Sequence, residues 1–241
     1  MARAKKAVKH LLFKLGYQLE KIHPEYPVLL AAIDPVGVEI LSNSQFQSSC
    51  REIAGLTLLD VPRLANLWHL CQLSNPNGSI IEVGTYRGGS ALHLSNSCPD
   101  RGIIVCDSFT GFELIDPEVD TNFKMSMFTD TGEEAVRLLF QRKQRNARLI
   151  KGYFPESCRG VDLQPISFAH VDVDTYKATI ETLFFLDDRM IEKSLIVLDD
   201  YNRRADGVNR AISEFSRERR CWAVFPIFPS QAILIHKTWL D

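Results

Sequence analysis

The chain has 241 residues, with 28 Lys+Arg against 30 Asp+Glu, a formal net charge of −2. Apolar residues make up 45% and charged residues 24%, which is too apolar for a disordered chain. A nearly neutral total excludes nucleic-acid binding driven by net charge alone, and no nucleic-acid partner is expected. The longest apolar candidate, Pro27 to Ile33, is far short of the roughly 20 residues that span a bilayer. Six cysteines, at 50, 71, 98, 106, 158 and 221, form no C-x-x-C pair. They read as buried free thiols in a reducing cytosol, so a cytoplasmic location is expected.

The first 21 residues hold Arg3, Lys5, Lys6, Lys9, Lys14 and Lys21 against Glu20 alone. Val8, Leu11, Leu12, Leu15 and Leu19 recur at three- and four-residue steps, the period of an amphipathic helix. Two readings stay open: docking on the domain or on a partner subunit, giving a homo-oligomer, and contact with an anionic membrane surface. A signal peptide is discarded, because Lys14 interrupts the apolar run and no A-x-A site follows. Residues 22–50, with His23-Pro24, Tyr26-Pro27, Asp34-Pro35 and Ser42-Asn43-Ser44-Gln45, read as an irregular connector around one short apolar segment. The expected division is an extension over 1–54 and one α/β domain over 55–241.

From about residue 55 apolar runs alternate with helical patterns. Helices are expected over Val61–Leu73, from Ser90 to Ser95, and over Gly132–Lys143, Thr175–Leu186 and Val208–Arg217. Strands are expected over Ser79–Val83, Gly102–Cys106, Ala147–Ile150, Ile166–Val171, Ser194–Leu198, Ala223–Ile227 and Ala232–His236. Strand runs without polar alternation are buried on both faces, as in a parallel sheet covered by helices.

In open sheets of this kind ligands sit beyond the C-terminal strand ends. After the first strand comes Glu82-Val83-Gly84-Thr85-Tyr86-Arg87-Gly88-Gly89-Ser90. Its glycines permit a tight turn and a close approach of backbone to ligand, or serve an ordinary strand-to-helix turn. The spacing is G-x-x-x-G-G rather than the dinucleotide G-x-G-x-x-G, and no P-loop lysine follows. After the second strand comes Asp107-Ser108-Phe109, 23 residues past Gly84. An acid there is placed to bind the ribose hydroxyls of a nucleotide-type cofactor, or else caps the next turn.

Two further strands end in Asp172-Val173-Asp174-Thr175-Tyr176 and Asp199-Asp200-Tyr201. Adjacent parallel strands would bring these four carboxylates to one edge of the sheet. Crowded carboxylates repel one another, and a hard divalent cation such as Mg2+ relieves that repulsion. For Asp174 the competing use is an N-cap of the next helix; for Asp199 and Asp200 it is a solvated turn.

Taken together, EVGTYRGGS, CDSFTGF, KGYFPES, HVDVDTYKATIETL and LDDYN, with GVNRAISEF downstream, resemble one family. They are similar to the macrocin O-methyltransferases, S-adenosylmethionine-dependent enzymes that methylate sugar hydroxyls of natural products. The likeness runs from about residue 78 to about 215. It implies a Rossmann-like class I methyltransferase fold, a mostly parallel seven-stranded sheet with helices on both faces. It implies S-adenosyl-L-methionine (SAM) and Mg2+ as cofactors and a small hydroxyl acceptor that contains a sugar. Glu82, Gly84 and Gly88 would line the methionine part of the cofactor, with Thr85, Tyr86 and Ser90 of the same segment. Asp107 would bind the ribose, with Ser108 and Phe109 nearby. Asp172, Asp199 and Asp200 would hold the Mg2+, and Asp172 or Asp174 would act as general base. Catechol-type relatives carry a lysine three residues after the first metal Asp; here that residue is Thr175, with Lys177 the nearest lysine. The departure argues for a carboxylate base.

Other candidates are weaker. The histidines are scattered; His170 lies inside a strand and reads as structural, while His93 could face the site. Arg203, Arg204 and Arg210 would bind an anionic substrate or solvate the surface. Glu113–Thr131 reads as a lid over the acceptor. An inactive methyltransferase-fold binding protein is the competing function, and an NAD-dependent dehydrogenase conflicts with the glycine spacing.

Overall fold

A computed structural model describes residues 17–19, 30–32, 35–125, 127–201 and 206–239. The chain divides into two compact units, Met1–Gln47 and Ser48–Asp241. In the first, β1 (Tyr17–Leu19) pairs antiparallel with β2 (Leu30–Ala32), Tyr17 opposite Ala32. Leu19 therefore belongs to a strand rather than to the expected helix, whose residues 1–16 lie outside the described ones. Nor is 35–50 irregular: α1 (Pro35–Ser42) and α2 (Ser44–Glu52) occupy it. Pro35 suits a first helical turn, where its missing N–H costs nothing. Asn43, a turn residue by composition, acts as an N-cap, its Oδ1 accepting from the Gln45 and Phe46 amides at 2.9 Å.

Ser48–Asp241 is built on one seven-stranded sheet. Its strands are β3 (Ser79–Val83), β4 (Ile103–Asp107), β5 (Ala147–Lys151), β6 (Ile166–Val171), β7 (Met190–Leu198), β8 (Trp222–Ile227) and β9 (Gln231–His236). The order across the sheet is β5-β4-β3-β6-β7-β9-β8. β5 through β7 are parallel, and β9 and β8 close the edge antiparallel. The helices are α3 (Val61–Leu73), α4 (Gly89–Ser97), α5 (Glu133–Arg142), α6 (Tyr176–Asp187) and α7 (Asp206–Glu218). Expected and observed elements agree within a residue or two except at β7, which starts four residues before Ser194.

All six residues of β6 are buried, which explains why its sequence shows no polar alternation. Ile81, Val83, Ile104, Cys106, Ala169, Val171, Ile196 and Leu198 share a core with Leu183 and Leu186 of α6 and Val208, Ile212 and Phe215 of α7. Ile80, Val105, Phe168, Leu195 and Val197 alternate with them and are equally buried, as the two-residue period of a strand requires. Each such side chain stabilises the fold by roughly 1.5–3 kcal/mol relative to exposure. Among the described residues no helix is long and apolar enough to cross a membrane. All six cysteines are free; Cys71, Cys106 and Cys158 are buried and the other three half-buried.

The chain runs outward from β3 to β4 and β5, then crosses back to β6 on the other side of β3. That reversal opens a crevice at the C-terminal tips of β3 and β6, where α/β sheets bind ligands.

Candidate active site

Gly84 follows β3 at φ +85°, and a Cβ there would lie 2.0 Å from the carbonyl oxygen of Asp172. Only glycine satisfies both the left-handed backbone and this contact. The turn is thereby pressed against the tip of β6. Gly88, at φ +81°, opens α4, and its Cβ would meet Val136 Cγ1 at 2.9 Å.

Asp107 at the tip of β4 organises the same turn. Its Oδ2 accepts from the Thr85 and Tyr86 amides at 2.8 and 2.9 Å, and its Oδ1 from the Phe109 amide at 2.7 Å. Burial raises the Asp107 carboxyl above its ordinary range, while these three amides pull the other way.

Behind the turn runs a buried charge network. Glu82 accepts from the Thr85 hydroxyl at 2.5 Å through Oε2 and from His170 Nδ1 at 2.7 Å through Oε1. His170 Nε2 donates to Asp199 Oδ2 at 2.6 Å, which also accepts from Gln231 Nε2 at 3.0 Å. Arg63 Nη1 donates to Asp199 Oδ1 at 2.9 Å. The side chains of Glu82, His170 and Asp199 are all 0% exposed. Burial alone would lower the His170 imidazole, but its two carboxylate partners raise it to about 10. His170 is therefore an imidazolium with both nitrogens donating.

Asp172, Asp174 and Asp200 line a cavity of about 240 Å³, together with Gly84, Thr85, Tyr86, Ser90, Asp107 and Ser108. Burial, then the neighbouring acids, raise both the Asp172 and the Asp174 carboxyls well above the ordinary range. Asp174 and Asp200 both sit at positive φ, +61° and +55°. Strained backbone of this kind collects at functional sites.

Of the residues expected to form the site, Glu82, Gly88, Phe109 and Asp199 do not line this cavity. Glu82 and Asp199 are instead buried in the network behind it. Nor does Asp174 cap α6: Thr175 is its N-cap residue, and the Tyr176 amide donates to Asp120 Oδ1 at 2.9 Å. His93 faces away from the cavity, bonded to Ser49 Oγ at 2.8 Å and the Leu64 carbonyl at 3.1 Å, and burial lowers it to about 4. Arg210 pairs with Glu214 at 3.0 Å; Arg203 and Arg204 lie outside the described residues. Lys177 pairs with Glu181 at 3.8 Å and does not reach the cavity.

Arg63 lines the cavity, Gln231 joins the network behind it and Asp120 holds the start of α6, and none of the three is among the site residues expected from the sequence. Arg63 falls on the same helical face as Leu67 and Cys71, and a charge on a buried face is a readable signal. Asp120 is 1% exposed inside the expected lid, with its Oδ2 accepting from the Asp116 amide at 2.9 Å. The cavity wall is aromatic here: Phe112 and Phe128 meet edge-to-face at 5.4 Å, as do Tyr86 and Phe128.

A glycine turn, an acid at the tip of the neighbouring strand and a 3-2-1-4-5-7-6 sheet order define a class I methyltransferase fold, with the strands counted from β3. The macrocin-O-methyltransferase (TylF) family profile matches residues 43–226, and the chain belongs to that family of O-methyltransferases. It is 24% identical over 196 residues to mycinamicin III 3''-O-methyltransferase of Micromonospora griseorubida, covering 69% of this chain and 77% of that one. It is 25% identical over 166 residues to 8-demethyl-8-(2,3-dimethoxy-alpha-L-rhamnosyl)-tetracenomycin-C 4'-O-methyltransferase of Streptomyces olivaceus, covering 60% of this chain and 62% of that one. Among solved structures, the O-methyltransferase NovP superposes with a TM-score of 0.62 at 20% identity, covering 75% of this chain and 82% of NovP. The SAH-bound Podospora anserina methyltransferase PaMTH1 superposes at 0.56 and 13% identity, covering 90% and 98%. At these identities the likeness to solved structures shows the fold alone.

Proposed function

We propose that this chain transfers the methyl group of SAM to a hydroxyl of a sugar or glycosylated small molecule, with a divalent cation, magnesium, at the tips of β6 and β7. The observation that carries the reading is that three carboxylates, Asp172, Asp174 and Asp200, share one cavity with the Gly84 turn and Asp107. The tetracenomycin relative, named for methylating a rhamnosyl-bearing compound, supports the acceptor class.

SAM supplies an electrophilic methyl on a sulfonium. The chain's part is to hold it. Gly84, Thr85, Tyr86, Ser90 and Ser108 wall one end of the cavity. A carboxylate offers about four acceptor positions, and three amides occupy three of those on Asp107. The remaining one suits a ribose hydroxyl. Glu82 acts from behind by fixing Thr85 and His170.

The donor set fits a hard divalent cation. Ligand atoms of His170, Asp172 and Asp199 lie within 4.8 Å of one another. His170 has no lone pair to give, since both nitrogens already donate. That leaves carboxylate oxygens from Asp172 and Asp199, to which Asp200, lining the same cavity as Asp172, would add a third, the ligands Mg2+ prefers. Asp199 Oδ1 accepts from Arg63, so an ion there would share that carboxylate with the guanidinium. A cation there would ease deprotonation of an acceptor hydroxyl. Asp174, which the ion does not need, is the base: it lines the cavity beside Asp172 and Asp200 and is free of the ion's ligand set. Holding the acceptor in line contributes more, because orientation alone supplies several kcal/mol of such barriers.

In the same reading residues 55–241 form the catalytic domain and residues 1–54 an extension through which a second copy docks. A cytoplasmic, reducing location suits six free cysteines.

Thermal-shift titration tests the cofactor. S-adenosylhomocysteine should stabilise the protein and NAD should not; the reverse pattern overturns the reading. Asp200→Ala tests the ion, because Asp199 is tied to His170 and Arg63 and its removal would unbalance the fold. That variant should keep S-adenosylhomocysteine binding and lose magnesium-dependent turnover. Undiminished turnover in EDTA would refute the ion.

A further inference from the structure

The acidic cavity edge already holds a cation of its own. Arg63 lies in the first turn of α3, with its side chain only 10% exposed. Its Nη1 donates to Asp199 Oδ1 at 2.9 Å and lies 3.7 Å from Asp200 Oδ1. Its Nη2 donates to the Leu58 carbonyl at 3.0 Å, and its Nε to Asp60 Oδ1 at 3.3 Å. One guanidinium thus joins the tip of β7 to the 58–60 segment. Thr57, Leu58 and Leu59 of that segment line the cavity, as does Arg63 itself.

We propose that Arg63 is a positioning residue that competes with the divalent ion for Asp199 and Asp200, and so couples ion binding to the cavity wall at residues 57–60. The inference rests on the ion reading given above. Asp199 is already held on one oxygen by Arg63 and on the other by His170 and Gln231. A dication arriving at the same carboxylates meets a fixed like charge. Arginine does not relieve that repulsion by losing a proton. It yields only by giving up part of its hold on Asp199 and Asp200, and its other bonds run to Leu58 and Asp60. The consequence is a loosely held ion and a wall segment that loosens when the ion binds. A purely structural arginine, present only to neutralise Asp199, would do neither.

The test reads binding rather than turnover. Mn2+ affinity is measured by electron paramagnetic resonance on wild type, Arg63→Gln and Arg63→Lys, with circular dichroism to confirm folding. Arg63→Gln should bind Mn2+ about tenfold more tightly, while Arg63→Lys, which keeps the charge, should stay within about threefold of wild type. Unchanged or weaker binding by Arg63→Gln overturns the proposal. Should that variant fail to fold, hydrogen–deuterium exchange on the wild type decides. Amides of residues 57–63 should exchange faster with Mg2+ than without; unchanged or slower exchange refutes the coupling. A wild type that binds no Mn2+ at all removes the ion reading itself, and this inference with it.

Discussion

His170→Phe is the sharpest perturbation of the network behind the site. The ring is kept and both donors are lost. Glu82 Oε1 and Asp199 Oδ2, 2.7 and 2.6 Å from the imidazole, then lose a charged partner at 0% side-chain exposure. Breaking a buried ion pair from one side costs about 3–5 kcal/mol. For a unit of this size that lowers the melting temperature by roughly 6–20 °C. The pH dependence of the loss is the diagnostic. In the wild type, burial would raise the Asp199 carboxyl, but His170 and Arg63 hold it below its ordinary value. Its stabilisation is present above the unfolded value of about 3.9 and is lost as pH falls through the folded one. His170 is raised to about 10. Its stabilisation is full below the unfolded value of about 6.5 and is lost as pH rises through about 10. In the variant, acid relieves the buried negative charge instead. The gap between the two proteins should therefore be widest near pH 6 and narrow toward about pH 4 and about pH 10. Urea unfolding followed by circular dichroism across that range measures it. A gap below about 1 kcal/mol near neutrality, or one independent of pH, would refute the network as described.

The geometry sets three further outcomes. Gly84→Ala places a Cβ 2.0 Å from the Asp172 carbonyl at φ +85°; it should destabilise the protein by at least about 2 kcal/mol, and a wild-type melting temperature would contradict this. Asp107→Ala should weaken S-adenosylhomocysteine binding roughly ten- to a hundredfold by calorimetry, since a hydrogen bond to a charged group contributes about 1.5–3 kcal/mol; a loss under about threefold would remove Asp107 from the ribose site. Asp120→Ala deprives the Tyr176 and Asp116 amides of their acceptor; it should cost about 1 kcal/mol and speed deuterium exchange across residues 112–131, and unchanged exchange there would show that Asp120 does not anchor the lid.

The strand tips were legible because parallel strands buried on both faces read as unbroken apolar runs. The residues at the end of each run, Gly84, Asp107, Asp172 and Asp199, are then placed by topology alone. The buried network was not legible in the same way. Glu82 and His170 are 88 residues apart and meet only because the β3–β6 register sets them side by side. Arg63 and Asp199 are separated by 136 residues. The family resemblance implies a place for Glu82 beside the cofactor; in the structure Thr85 and His170 each take one of its oxygens. Asp174 had the spacing of a helix cap, but its left-handed backbone turns it away and Asp120, 56 residues upstream of Tyr176, serves that amide. The helices over 35–52 were hidden because proline and asparagine mark helix starts as readily as loops.

The central claim is a cation-assisted methyl transfer to a sugar hydroxyl. It is met most directly by following a labelled methyl group from SAM onto a panel of glycosylated acceptors, first in EDTA and then with Mg2+ restored. The geometry at Asp172, Asp174 and Asp200 predicts transfer to a glycoside hydroxyl that stops in EDTA and returns with Mg2+. Equal transfer with and without the cation, or transfer only to acceptors lacking a sugar, would contradict it.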